Sequence, residues 1–438
     1  MYNMSGDDMI HIIGAGLAGS EAAYYLANQG FNVKLYEMRP YKMTPAHQTG
    51  DFAELVCSNS LRSNDPFNAV GMLKREMSMF NSLIMEAALH SEVPAGSSLA
   101  VDRHLFSSYI ESKITDHPLI EIIREEVTKI DTNELTIIAA GPLASDQLTQ
   151  DIQQKFHMEH LHFFDAIAPI IEASSIDMNI CYLKSRYDKG EAAYLNCPMD
   201  EDQYHHFYEA IIHAKKVDVK DFEKNVFEGC MPFEVMAERG KETLLYGPMK
   251  PVGLEKEGQR YHAVVQLRQD DAAKTMYNIV GFQTHLTWDE QKRVIQMIPG
   301  LEKANILRYG VMHRNTYIES PKIINQSFQS STYPNIFFAG QISGVEGYVE
   351  SAASGLNVAI QVTSLLKNNA LKPLPIETMM GAMAAYVSTP NSSFVPMNAN
   401  LGLLPPLEFK HPKKMRKTLY FERSMNALKE YIGSMPCQ

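Results

Sequence analysis

Residues 10–19 read Ile10-His11-Ile12-Ile13-Gly14-Ala15-Gly16-Leu17-Ala18-Gly19, and an acid, Glu37, stands 18 positions beyond the last glycine at the end of the next apolar run. A short β-run meets three glycines at Gly-x-Gly-x-x-Gly spacing, and an alanine-rich helical stretch follows to about Gln29. That order is the fingerprint of a dinucleotide-binding βαβ unit. Gly14 makes the tight turn, Gly16 lets the backbone approach a pyrophosphate, and Gly19 packs helix on strand. The helix N-terminus attracts phosphate charge, and Glu37 can bond both ribose hydroxyls. Leu17 and Ala18 complete the turn against the cofactor.

Two further apolar runs end on glycine. Residues 135–140 lead into Gly141-Pro142-Leu143-Ala144-Ser145, and residues 335–339 lead into Gly340-Gln341, with a helix expected over 351–366. Continuous apolar runs of this kind mark buried parallel strands whose ends meet a ligand. The second strand–glycine closure favours FAD over NAD. A single fingerprint leaves no second Rossmann unit for a nicotinamide cofactor. The fold class is therefore α/β: a Rossmann-like FAD-binding domain of glutathione-reductase type, with an inserted α+β domain. The expected division is 1–163 and 334–438 for the FAD-binding domain and 164–333 for the insert, whose strand-like runs at 263–267 and 277–280 alternate with polar helices such as 201–215.

The chain has 438 residues and a net charge of −11, which opposes non-specific coating of polyanions. The N-terminus lacks a basic flank and a full apolar segment, and the longest uncharged stretch, 378–407, is broken by four prolines. Neither a signal peptide nor a membrane span is expected. Five cysteines without a C-x-x-C pair argue against a disulfide scaffold or a zinc site, and a reducing cytoplasm suits them. Cys57 and Cys230 lie among Gly, Asn, Ser and Pro, in loops where reactive groups concentrate, whereas Cys181 and Cys197 read as small buried hydrophobes. Lys410, Lys413, Lys414, Arg416 and Lys417 fall within eight residues free of acid, a seat for phosphates or simply a solvated face.

Nine segments together resemble one family: GAGLAGSEAA (14–23), ELVCSNSLRS (54–63), FEGCMPFEVMAERG (227–240), YGPMKPVGL (246–254), AVVQLRQDDAA (263–273), VGFQTHLTWDEQ (280–291), GVMHRNTYI (310–318), FFAGQISGVEGYVESAASG (337–355) and PMNANLGLLPPL (396–407). The family is that of the folate- and FAD-dependent tRNA (uracil-5-)-methyltransferases, related to glucose-inhibited division protein A. The resemblance implies methylation of the T-loop uridine at C5. Its cofactors would be FAD and NADPH or NADH, with 5,10-methylenetetrahydrofolate as co-substrate, through a flavin N5-methylene intermediate. It also implies that Cys230 adds to uracil C6 and that Cys57 takes the C5 proton, or alternatively parks the methylene. A thiolate at C6 makes C5 nucleophilic, which is why the chemistry needs a thiol there.

By the same resemblance His285 stacks on the pterin and Tyr348 lies beside the isoalloxazine. Gln341 and Gly347 meet the ring edge or pyrophosphate, and Arg314 and Asn315 face folate or the target base. No metal and no obligatory protein partner are implied. Two alternatives stay open, the same chemistry on large-subunit ribosomal RNA and a non-catalytic FAD-containing RNA-binding protein.

Overall fold

The structure is a computed structural model that describes residues 9–158, 161–166, 168–189, 191–217, 231–310, 312–368, 370–391, 394–409 and 411–435. The glycine-rich turn organises the first half. A five-stranded sheet runs Ile336–Phe338, Thr136–Ile138, Ile10–Ile13, Val33–Tyr36, Ile120–Ile123, and every neighbouring pair is parallel. The three apolar runs that end on glycine are thus adjacent strands, and their carboxyl ends open on one edge. The first helix, Leu17–Asn28, packs along Tyr348–Asn368, which is buried along most of its length.

Two glycines are fixed by contact. Gly14 has φ +101°, and a Cβ there would stand 2.5 Å from the Ala139 carbonyl oxygen. A Cβ on Gly19 would fall 1.8 Å from the Gly14 carbonyl oxygen, so helix and turn can meet only without a side chain. The long helix begins at Tyr348, three residues before its expected start. The Ser351 N–H already bonds the Gly347 carbonyl, which puts Tyr348 in the first turn.

A second sheet has six strands in the order Tyr182–Leu183, Tyr194–Met199, Ala263–Gln269, Met276–Ile279, Ile170–Glu172, Ile306–Arg308, all antiparallel. It carries its own apolar core, with Tyr204, Phe207, Phe233 and Phe282 among its largest members. A two-stranded ladder of Leu161–Ala166 with Met312–Tyr317 stands where the chain leaves the first core and returns to it. Tyr317, Ile318, Ile323, Ile324 and Phe328 already pack in the first core. No helix among the described residues is long and apolar enough to cross a membrane.

Candidate active site

A cavity of about 740 Å³ opens at the carboxyl ends of the parallel strands. Its floor is the first glycine turn. Nothing lies within 4 Å of where a Gly16 side chain would be, and the helix that starts there has no side-chain cap. Uncapped N–H groups at the positive end of a 12-residue helix, facing open space, form a seat for an anion. The Gly141–Ser145 turn lines the same cavity, as do Gly340, Gln341, Gly347 and Tyr348.

Glu37 reaches the cavity wall but arrives engaged. One carboxylate oxygen accepts from the Arg39 backbone N–H (3.0 Å) and Nε (2.9 Å). The other accepts from the Ala15 N–H (3.1 Å) and Arg39 Nη2 (3.2 Å). Arg39 also bonds Glu54 Oε2 at 3.1 Å, so one buried guanidinium ties the turn to the segment before Cys57. Nothing in the sequence singles out Arg39, because a guanidinium two residues after a ribose-binding acid has no periodic or motif signal.

Cys57 lines the cavity on a loop gripped from three directions. Tyr348 Oη accepts from the N–H of Cys57 (2.6 Å) and of Ser58 (3.2 Å). Arg268, on the strand Ala263–Gln269, donates to Ser58 Oγ (2.6 Å) and Asn59 Oδ1 (2.9 Å). Arg103 donates to the Leu55 carbonyl and pairs with Asp270 through two bonds of 2.9 and 3.1 Å. Burial, reinforced by the nearby Cys57 sulfur, pushes the Tyr348 phenol well above its ordinary value, so it stays a neutral hydroxyl. Arg103 and Arg268 carry no signal in the sequence because their partners lie far along the chain.

Asn315 is 1% exposed, lines the cavity, and neither its Oδ1 nor its Nδ2 has a protein partner. A buried amide left unpaired costs free energy comparable to a lost hydrogen bond, which a bound ligand can restore. Glu350 is also fully buried. Its Oε1 accepts from Arg62 Nη1 (2.7 Å) and the Ala399 N–H (2.9 Å), its Oε2 has no hydrogen-bond partner, and burial raises its pKa.

His285 stands back from the wall, whereas Gln283 lines it. The imidazole Nδ1 lies 2.8 Å from the buried Glu234 Oε1, off the line of a good hydrogen bond, and that oxygen accepts the His285 backbone N–H at 2.8 Å. Cys230 lies outside the described residues. The chain on either side of it is nonetheless tied to this segment: the Val217 N–H bonds the His285 carbonyl (2.9 Å) and the Phe233 N–H bonds the Gln283 carbonyl (2.8 Å). The side chain of Arg314 and all of Lys410 also lie outside the described residues. Lys413 and Lys414 form an exposed turn ahead of the helix Arg416–Gly433, away from the cavity lining, and Lys417 bonds Asn68 at 3.0 Å. No cluster of His, Cys, Asp and Glu among the described residues could hold a metal ion.

Against known proteins, the profile of the family described as "Glucose inhibited division protein A" matches residues 9–370. A methylenetetrahydrofolate--tRNA-(uracil-5-)-methyltransferase of Acholeplasma laidlawii is 67% identical over 97% of this chain and 99% of its own length. Proteins of the same name from Listeria monocytogenes and Staphylococcus aureus are each 58% identical, over 96% of this chain and 98% of their own length. Among solved structures, Aquifex aeolicus GidA superposes with a TM-score of 0.70 at 14% identity, over 97% of this chain and 73% of that one, a likeness of fold.

Proposed function

The chain belongs to the glucose inhibited division protein A family, and from that premise we propose that it methylates C5 of the T-loop uridine of tRNA. The carbon comes from methylenetetrahydrofolate, FAD is the cofactor and NADPH or NADH the reductant. Relatives at 58–67% identity carrying the methylenetetrahydrofolate--tRNA methyltransferase name support the reaction class. The observation that carries the site is Cys57 on the wall of the same cavity that begins at the open Gly16 turn.

The residues present fit a flavin dinucleotide. The open face at Gly16 and the uncapped helix Leu17–Asn28 would hold its pyrophosphate. Glu37 with Arg39 would stand at the ribose, and Gly340, Gln341, Gly347 and Tyr348 at the ring. FAD, when bound, supplies two-electron redox chemistry and a carrier for the one-carbon unit. The unpaired Asn315 amide would bond a heterocycle edge, either the pterin or the target base, both of which offer alternating donors and acceptors. Arg314, whose side chain lies outside the described residues, would contact the folate or the target base.

In this reading Cys230 adds to uracil C6, raising electron density at C5, and Cys57 removes the C5 proton once the carbon is attached. The described chain on either side of Cys230, at Val217 and Phe233, is bonded to the Gln283–His285 segment, of which Gln283 lines the cavity. His285, whose backbone N–H is held by the buried Glu234, would stack on the pterin of the folate. Lys410, Lys413, Lys414, Arg416 and Lys417 would contact RNA phosphates, and the inserted unit expected at 164–333, less the residues from Tyr317 onward that pack in the first core, would carry the folate side.

Tritium release from RNA labelled at uracil C5, with methylenetetrahydrofolate, FAD and NADPH, tests the proposal. Folate-dependent release from unmodified tRNA is the expected result. Release from ribosomal RNA fragments alone would overturn the target, and no release from either RNA by flavin-loaded protein would overturn the activity.

A further inference from the structure

Cys181 and Cys197 are 16 positions apart, both buried in the second core, and their sulfurs stand 3.2 Å from each other. The sheet register brings them there. The edge strand Tyr182–Leu183 pairs Tyr182 with Asn196 and Leu183 with Leu195, so the next step places Cys181 opposite Cys197. Hydrogen-bonded and open pairs alternate along an antiparallel ladder. The Lys184 N–H bonds the Tyr194 carbonyl at 3.0 Å, which makes Cys181 and Cys197 an open pair. The Cys181 N–H agrees, since it turns away to the Asp177 carbonyl at 3.0 Å. Open pairs bring the Cα atoms to about 4.5 Å, inside the range that a disulfide spans.

The surroundings treat the two sulfurs differently. Cys181 directly follows the exposed turn 177–180, whereas Cys197 lies on an interior strand between Tyr182–Leu183 and Ala263–Gln269. The Gly300 turn closes over the first sulfur: a Cβ there would fall 2.4 Å from Cys181 Sγ, and the Pro299 carbonyl oxygen lies at 3.9 Å. The hydrogen bond to Cys181, with burial, holds the Cys197 thiol well above its ordinary pKa. Among the described residues no third metal-binding side chain joins them, and neither lines the cavity at Gly16 and Cys57.

We propose that Cys181 and Cys197 are an oxidative modification site, at which a hydroperoxide joins them as a reversible cross-strand disulfide. Cys181, next to the exposed turn, meets the oxidant first. Its sulfur attacks one peroxide oxygen, the O–O bond breaks, and the leaving hydroxide takes the thiol proton as water. The Cys197 sulfur then displaces the hydroxyl of the sulfenic acid, and its own proton leaves with that hydroxyl as a second water. Two thiols are oxidised by two electrons and one hydrogen peroxide is reduced. The bridge staples a strand with a single ladder neighbour to the interior of the sheet. It also steadies the chain between the cysteines, where the Tyr187 N–H and Arg186 Nη2 hold the carbonyls of Gly253 and Lys250, each at 2.9 Å.

The test treats the flavin-loaded, full-length protein with hydrogen peroxide at a dose that oxidises Cys57. The oxidant is then removed, and the denatured protein is alkylated before peptide mass spectrometry. The Cys181 and Cys197 peptides should appear joined and unalkylated, and dithiothreitol should separate them. Both peptides alkylated, Cys181 carried on to the sulfinic acid, or Cys181 joined to another cysteine would overturn the proposal. In Cys197→Ala the sulfenic acid has no resolving thiol, so dimedone should capture it at Cys181. No capture in the folded variant would overturn Cys181 as the attacked sulfur, and if the variant does not fold the wild-type peptides decide. Closing the loop should raise the urea midpoint of the joined protein by roughly 0.5 M or more over its dithiothreitol-reduced form. An unchanged or lower midpoint would overturn the staple.

Discussion

The glycine-turn half and the Cys57 neighbourhood are built by opposite means. In the first, function follows from backbone approach. Gly14, Gly16 and Gly19 leave room for one another and for a ligand, so the requirement is written in ten consecutive residues. In the second, side chains that are far apart in sequence meet under burial. Arg103 joins Asp270 across 167 positions, and Arg268 joins Asn59 across 209. A site that needs space can be coded locally, whereas a site that needs charge held at a fixed point depends on the tertiary fold.

The sharpest way to test this contrast is to remove the thiols. Cys57→Ala and Cys230→Ala should each lower methyl transfer by at least about 10³-fold while leaving flavin absorbance unchanged, the pattern for groups that act only in the chemical steps. A loss of flavin in Cys57→Ala would mean that the loop is part of the cofactor's support, and the two regions would no longer be separable.

The glycine turn itself divides under mutation. Gly19→Ala drives a methyl group into the Gly14 carbonyl, and Gly14→Ala meets both positive φ and the Ala139 carbonyl. Each should cost roughly 2–4 kcal/mol, read as a lower urea midpoint. Gly16→Ala, with nothing within 4 Å of its new methyl, should leave the urea midpoint of the flavin-free protein within about 0.5 kcal/mol of wild type and weaken flavin binding instead. Equal destabilisation by Gly16→Ala would show that the open face is structural.

Glu76 breaks the tidy division, because the first half also relies on a distant buried charge. It is fully buried and accepts from the N–H groups of Met379 (2.7 Å) and Met380 (2.8 Å) and from Ser424 Oγ (2.5 Å), tying two C-terminal helices to Ala69–Ser78. Burial raises its pKa to about 7, against an unfolded value near 4.5. The folded state therefore binds the proton more tightly. The associated stability is full below about pH 4.5 and is lost as pH rises to about 7, at close to 1.4 kcal/mol per unit over that window. Urea titrations should show this decline flattened in Glu76→Gln. Glu21, also raised to about 7 by burial, keeps a similar slope of its own, so only the difference between the proteins is diagnostic.

How far the sequence could be read follows the same line. Four of the five parallel strands, the turn at 14–19 and the second closure at Gly340 were legible. Three strands stood out as apolar runs ending in glycine and one as the run that meets Glu37, whereas the edge strand Ile120–Ile123 gave no such mark. Cys57 stood out only as a loop thiol until the resemblance gave it a role. Arg39, Arg103, Arg268 and Glu350 were invisible as site residues, since nothing in a local window shows that a charged side chain will be buried or what it will meet. The Glu37 carboxylate is expected at the ribose from the fingerprint alone, but its four contacts with Ala15 and Arg39 are not. A ribose hydroxyl must therefore share or displace one of them.

The basic cluster is conspicuous in sequence yet lines neither the glycine turn nor the Cys57 loop. Lys413 and Lys414 are exposed on a turn, Arg416 lies over the Tyr420 ring at 5.5 Å, and Lys417 is held by Asn68, so the cluster is anchored to the first half and faces outward. Replacing Lys413, Lys414 and Arg416 by Ala removes three charges without touching the cavity lining. Each lost phosphate contact should reduce the slope of log affinity against log salt by roughly 0.7–0.9, so the triple variant should lose about 2–3 units of slope if all three meet phosphates. Methyl transfer at saturating tRNA should stay near wild type, because none of the three residues lines the cavity. An unchanged slope would make the cluster a solvated face and move the search for the RNA surface to the rim of the cavity around Cys57.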